Sequence, residues 1–417
     1  MPSPVHDDVV LPPGIFRFSQ MERVIWGTPV ERALDDELKL LRCERVFVVT
    51  NRSLAGSPAL EAILRVLGDR CAGRYDEVTA HTPRESVIAG AAAAGEARAD
   101  KLLAVGGGSV IDGTKAMLLC LRHGYTSPAQ MEPHANVRPV DLGQAPPDAA
   151  QWLRMIAIPT TLSGAEFAAP AGVTDTSRGI KHAFVNPMQI PQSVILDPAM
   201  TLATPIELLC STGMKAVDHA AERITSRTAN PYSDAVSELA LRMLSDTLPA
   251  LAGRPDDLDL RSKLQFGMFM SLRGSASGGT ANVSHAIGHV LGAHAGVPHG
   301  FTTGVTLPSV LRWMANETAG AQARVAAALG APDGQTSADV RTGGGASTGA
   351  TAPRDAADAV ESLAKRLGLP VRMRDVGVRR EDFELIAEKT MHEALLANSR
   401  RPVTGPADVR EILELAW

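Results

Sequence analysis

Residues 101–116 read KLLAVGGGSVIDGTKA, an apolar run, three glycines with a serine, and then a stretch with helical spacing. Strand, glycine turn and helix in that order are the unit from which parallel α/β sheets are built. Glycines allow a backbone to approach a phosphate closely. The helix that follows offers free N–H groups and the positive end of its dipole, and Ser109 adds a hydroxyl donor. Such turns are also glycine-rich for packing alone, and GxGxxG is absent, so the ordinary dinucleotide fingerprint is missing.

Working outward, the same alternation recurs. RVFVVT at 45–50 is a buried-strand candidate, followed by a helical stretch over 57–72. MIAI at 155–158 runs into Pro159, and SVIL at 193–196 runs into Asp197 and Pro198. These runs predict a mostly parallel sheet covered on both faces. Beyond about Pro198 the pattern turns to long helical periodicity with few convincing strands. The expected fold class is α/β plus all-α, with an α/β domain over 1–198 and a helical domain over 199–417. The proline-rich stretch 131–150 is expected to be a surface insertion, and the Gly/Ala/Thr/Ser-rich stretch 333–353 a mobile loop.

Composition narrows the function. A chain of 417 residues with 45% hydrophobic and 21% charged residues is ordinary for a globular protein of two domains. A net charge of −5 without a basic block argues against nucleic acid as a partner. No apolar run is long enough to span a bilayer, and the N-terminus lacks the pattern of a secretory signal. Four scattered cysteines, Cys43, Cys71, Cys120 and Cys210, read as thiols in a reducing compartment, so a cytoplasmic location is expected.

The strongest local signal lies in the helical half. Residues 284–300 read SHAIGHVLGAHAGVPHG and hold four of the 11 histidines. His285 and His289 are four apart and share a helix face, and His299 follows in a Pro–His–Gly turn. Upstream, GMKAVDHAAE at 213–222 puts Lys215 and His219 on one face as well. Histidines gathered from two helices and a turn mark a metal or proton-transfer site. Thr160 and Thr161, after the strand ending at Pro159, are suited either to a ligand or to a simple capped turn.

With these pieces in place, the chain resembles the iron-containing (group III) alcohol dehydrogenase superfamily almost end to end. GGGSxxDxxK matches Gly106, Gly107, Gly108, Ser109, Asp112 and Lys115, and HAxxHxLG…PHG matches His285, His289, Leu291, Gly292, Pro298, His299 and Gly300. The resemblance implies a dehydroquinate synthase-like fold, with a Rossmann-like N-terminal domain, a helical C-terminal domain and an active site between them. It implies NADH or NADPH as cofactor, held by Gly107, Gly108, Ser109 and Asp112 with Thr160 and Thr161 nearby. It also implies a homodimer acting on a small molecule. Asn51 falls where NAD-specific relatives often carry an aspartate facing the ribose, and a neutral residue there removes repulsion of a 2′-phosphate.

Two departures stand out. Metal-dependent members hold a divalent ion with an aspartate and three histidines. The histidines correspond to His219, His285 and His299, but the aspartate position is Lys215. Asp218 lies about 100° around the helix from His219 and is not expected to substitute. The segment 159–166, PTTLSGAE, is one residue shorter than the PTTxGTGSE of metal-dependent members and is similar to maleylacetate reductases. The expectation is therefore a maleylacetate reductase-like enzyme without metal. It would transfer hydride to a carbonyl or activated C=C, with Lys215 as the positive charge, His289 or His285 as proton donor, and His219 and His299 lining the pocket. A metal-dependent alcohol dehydrogenase, a lyase or cyclase on the dehydroquinate synthase superfold, and a silent binding protein are the alternatives.

Overall fold

The computed structural model describes residues 18–137, 143–273, 279–330 and 355–417. The loop expected over 333–353 lies outside the described residues, as do residues 1–17 and the 138–142 part of the proline-rich stretch.

Eight strands occur among the described residues: β1 (Arg23–Trp26), β2 (Val46–Val49), β3 (Cys71–Tyr75), β4 (Lys101–Gly106), β5 (Met155–Pro159), β6 (Ala171–Asp175), β7 (Ile180–Phe184) and β8 (Ser193–Leu196). Six form one sheet in the order β1-β8-β5-β4-β2-β3, and every neighbouring pair is parallel. The inner strands β2, β4, β5 and β8 are buried along their whole length, as unbroken apolar runs covered on both faces should be. The edge strands β1 and β3 were not legible in the sequence, because a half-exposed RVIW or CAGRY has no clean period. Nor was the antiparallel hairpin β6–β7, which covers the helix that follows β4.

Helices α1 (Val30–Leu40), α2 (Pro58–Leu67), α3 (Arg84–Glu96) and α4 (Gly108–His123) cover the sheet. The helical half comprises α5 (Ile206–Thr225), α6 (Pro231–Gly253), α7 (Leu258–Leu272), α8 (Val283–Ala295), α9 (His299–Trp313), α10 (Ala319–Ala328), α11 (Ala356–Arg366), α12 (Phe383–Thr390) and α13 (Pro406–Leu415). α5 packs against α6, α7 and α9, and α8 lies against α9.

One face of the sheet packs on α1 and α2 through Leu34, Leu38, Ile63, Val48 and Ile156. The other packs on α4, and the same apolar cluster continues without a break into α5, α6 and α7 through Leu162, Met214, Leu244 and Met268. Polar ties cross here too. Leu162 N donates to Thr212 Oγ1 on α5 (3.1 Å), and Thr204 Oγ1 donates to Thr160 O (2.7 Å). The turn after β5 is thus held against the start of α5, and α5 carries the charged cluster described below. The expected surface insertion is not wholly superficial, since Met131 is fully buried in that core. No helix among the described residues is long and apolar enough to cross a membrane.

Candidate active site

The glycine turn sits where β4 hands over to α4. Gly106 has φ +158°, and a Cβ there would collide with Val110. A Cβ on Gly107 would come within 3.0 Å of Thr161 Cγ2, and one on Gly108 within 3.0 Å of Ser163 Oγ. The glycines therefore serve the close stacking of residues 160–163 on the turn, while α4 begins at Gly108, just past the C-terminal end of β4, and its first N–H groups have no partner within the helix. Thr160 N donates to Gly106 O (3.1 Å), and both Thr160 and Thr161 are buried beside the turn. Ser109 lies in the first turn of α4, where its carbonyl accepts from Thr82 Oγ1 (3.1 Å).

Asp112, expected from its motif near the cofactor, is bonded to neighbouring residues of the chain. Its Oδ1 accepts from Lys115 Nζ (3.2 Å) and its Oδ2 from Gly172 N (3.0 Å). Lys115 is fully buried and also donates to Ala165 O (2.5 Å) and Pro170 O (2.9 Å). The Asp–Lys pair of the motif thus fastens residues 165–172 beneath the turn, because one ammonium can satisfy three inward acceptors. Asn51 stands just past the C-terminal end of β2, its Oδ1 accepting from Ser53 Oγ (2.8 Å) and Leu54 N (3.2 Å).

The second half of the site is one face of α5. Lys215, Asp218, His219 and Glu222 fall at i, i+3, i+4 and i+7, so they stack along one side of a helix. Lys215 is 2% exposed, yet its Nζ donates to Asp218 Oδ2 (2.9 Å), which also accepts from Thr303 Oγ1 on α9 (3.1 Å). His285, on α8, brings its Nδ1 to 2.6 Å from Glu222 Oε2 and 3.5 Å from Asp218 Oδ2. Glu222 accepts further from Asn282 N (2.8 Å) and Ser284 N (2.6 Å), the N–H groups that open α8. A carboxylate at that point satisfies helix-terminal donors and holds the ring of His285.

The sequence reading had set Asp218 aside; that expectation is corrected. The arc of about 100° is real, but α8 and α9 enclose it, so Asp218 faces the same cluster as His219. Glu222 and Thr303 went unread altogether. The i, i+3, i+7 spacing of Lys215, Asp218 and Glu222 was the available signal.

Electrostatics separate these groups. Burial opposes ionisation of Asp218, but the Lys215 ammonium and its hydrogen bond outweigh it and hold the carboxyl well below its usual range. Burial, reinforced by Asp218, pushes Glu222 up. Burial and neighbouring cations keep both His219 and His285 well below the usual imidazole value, so both rings are neutral. The His219 and His285 centroids are 4.5 Å apart, and His219 Nδ1 meets no hydrogen-bond partner among the described residues. His289 is the accessible member: its side chain is 44% exposed, its Nδ1 is 3.2 Å from Glu393 Oε2, and its ring centroid is 6.5 Å from that of His285. His299 is the first residue of α9; its side chain lies outside the described residues.

One further group sits between the two halves. Glu166, in the turn after β5, is fully buried, and neither carboxyl oxygen meets a partner among the described residues. Burial raises its ionisation to about pH 7. The stretch containing it was legible, its role was not.

Whether a divalent ion fits can be judged from the donors. Ligand atoms of Asp218, Glu222 and His285 all lie within 4.8 Å of one another, a spacing a cation could share. The cation already present is the Lys215 ammonium, 2.9 Å from Asp218.

Comparison with known proteins agrees with this geometry. A profile described as iron-containing alcohol dehydrogenase matches residues 22–198, and one described as the C-terminal part of the Fe-containing alcohol dehydrogenase family matches residues 209–417. The chain belongs to the iron-containing alcohol dehydrogenase family. It is accordingly an NAD(P)-dependent oxidoreductase. It is 32% identical to dehydrogenase FUM7 of Gibberella moniliformis, with 89% of this chain and 90% of that protein covered. It is 28% identical to a maleylacetate reductase of Burkholderia cepacia, covering 96% of each. The crystal structure of maleylacetate reductase from Agrobacterium tumefaciens superposes with a TM-score of 0.78 at 24% identity, covering 98% and 99% of the two chains, which shows the shared fold.

Proposed function

We propose that this family member reduces the carbonyl, or an activated C=C, of a small carboxylated molecule with hydride from NADH or NADPH, and that it does so without a metal ion. The observation that carries the reading is the Lys215 ammonium buried on Asp218 beside His285, at the position where metal-dependent relatives place an aspartate. A divalent ion about 4 Å from that ammonium would be repelled by roughly 8 kcal/mol at an effective dielectric of 20. The kinship to maleylacetate reductases supports the substrate class.

The turn after β5 is tied to the start of α5, so a nicotinamide cofactor held at the glycine turn would supply hydride beside the Lys215 face of α5. The cofactor would supply hydride to the substrate carbonyl carbon, and the Lys215 ammonium is placed to stabilise negative charge developing on the carbonyl oxygen. Asp218 holds that ammonium in place, and Thr303 anchors Asp218. The proton that completes the alcohol comes from the histidine pair. His289 is the member that exchanges with solvent, while Glu222 orients the buried ring of His285. Cofactor contacts fall to Gly107, Gly108 and Ser109, with Asn51, Thr160 and Thr161 alongside.

A metal-dependent dehydrogenase is the second reading, favoured by the Asp218–Glu222–His285 spacing and the unpartnered His219 Nδ1. Metal analysis of gently purified protein, with NAD(P)H oxidation before and after chelation, separates the two. Substoichiometric metal and chelator-resistant turnover are expected. One tightly bound iron or zinc per chain, with activity lost on its removal, would overturn the metal-free reading. Removing Lys215 alone strands a buried carboxylate at a cost of about 3–5 kcal/mol. The informative variant is therefore Lys215→Met combined with Asp218→Asn, which is expected to stay folded and lose turnover at least about 100-fold, a typical loss for one electrostatic stabiliser. Unchanged turnover would remove the role.

A further inference from the structure

We infer that Arg52 selects the coenzyme and that the protein takes NADPH in preference to NADH. The inference rests on the nicotinamide reading above and concerns only the ribose end of the cofactor.

The placement follows from the sheet. β2 lies between β3 and β4, and Thr50 Oγ1 donates to Val105 O (2.8 Å), so the end of β2 is tied directly beside the glycine turn at the end of β4. The chain leaves β2 toward β3 on one side and leaves β4 toward β5 on the other. In an open parallel sheet, such a reversal opens the crevice that receives a dinucleotide. The pyrophosphate lies at the glycine turn and the adenosine ribose over the end of the neighbouring strand. Residues 51–53, Asn-Arg-Ser, are the first three past Thr50 at that strand end.

Their chemistry suits a phosphate. Asn51 carries no charge, and its Oδ1 is turned back to Ser53 Oγ and Leu54 N, so no carboxylate waits there for a pair of ribose hydroxyls. Arg52 is 79% exposed and its guanidinium Nη2 touches a single acid, Glu77 Oε1 at 2.8 Å, which follows β3 and is itself 56% exposed. A solvated pair of this kind holds its partners weakly. A 2′-phosphate dianion offers the planar guanidinium a bidentate acceptor of greater charge, and Ser53 adds a hydroxyl donor beside it. Glu77 then acts as the competing anion that the phosphate displaces.

The experiment needs no substrate. NADPH and NADH are titrated into the full-length protein by nicotinamide fluorescence, and 2′,5′-ADP and 5′-AMP are compared as competitors. Wild type is expected to bind NADPH and 2′,5′-ADP at least about tenfold more tightly than NADH and 5′-AMP, as one charge-assisted contact implies. In Arg52→Gln that preference collapses, with NADPH and 2′,5′-ADP weakened and NADH and 5′-AMP unchanged. Glu77→Gln is expected to tighten NADPH alone. Equal weakening of both pairs would make Arg52 a structural residue and overturn the inference. So would tight binding of both nucleotides without a 2′-phosphate preference, which leaves the oxidoreductase reading standing. Failure to bind either nucleotide would overturn both.

Discussion

At Glu166 the chain buries a carboxyl whose oxygens meet no donor among the described residues, and the nearby Lys115 ammonium, spent on Asp112 and two carbonyls, only partly offsets the burial. Its ionisation is raised to about pH 7, whereas an unfolded glutamate titrates near 4.5. Below the lower value both states are protonated. Between the two values the unfolded chain has released a proton that the folded chain still holds, so stability falls as pH rises through that window. The loss approaches ~3 kcal/mol above pH 7. Glu166→Gln keeps the shape and removes the titration. Thermal melts at pH 5 and pH 8 should therefore show a smaller drop for the variant than for wild type. Identical pH dependence in the two proteins would mean that Glu166 is solvated or paired in the native state. Lys215 shows the opposite solution to the same problem: a charge buried as deeply, but against Asp218 and within reach of Thr303 through that carboxylate.

At the scale of elements, the site depends on how closely α9 lies on α5. A Cβ on Gly300 would come within 2.6 Å of Ser211 Oγ and 2.9 Å of the Ser211 backbone carbon. Replacing glycine by alanine in a helix ordinarily stabilises by about 1 kcal/mol. Here the contact with backbone cannot be relieved by rotating a side chain, and overpacking of that kind costs about 1–3 kcal/mol, which wins. Gly300→Ala should lower the urea midpoint and, by shifting α9 and Thr303 away from Asp218, reduce kcat as well. A variant as stable as wild type would show that the two helices can separate without cost. The start of α8 is tied as firmly, because Glu222 collects the N–H groups of Asn282 and Ser284 together with Nδ1 of His285. One carboxylate therefore orients both a helix and the ring of His285.

For the whole molecule, the continuous core from the sheet into α5, α6 and α7 means that both halves share one packing unit beside the glycine turn. A cofactor bound there stabilises the native state by mass action, about 2.7 kcal/mol at a concentration 100 times its Kd. Scanning calorimetry should show that rise with NADPH, and no change in Tm after dialysis against EDTA. A fall in Tm on EDTA treatment, restored by zinc or iron, would instead reveal a structural or catalytic ion. Much of this architecture was legible from residues 101–116 outward, because a buried parallel strand is a continuous apolar run and a glycine turn before a helix is a local pattern. The four inner strands and the helical second half follow from such local periods. The edge strands and the β6–β7 hairpin did not, since half-exposed strands owe their conformation to a neighbour that the local sequence does not name. The histidines and Lys215 could be singled out by spacing along one helix at a time. What spacing could not say was that Glu222 reaches His285 across 63 residues, that Thr303 reaches Asp218 across 85, or that Asp112 and Lys115 face inward. Those pairings are made by helices brought side by side, and only burial, which strands any charge left without a partner, decided them.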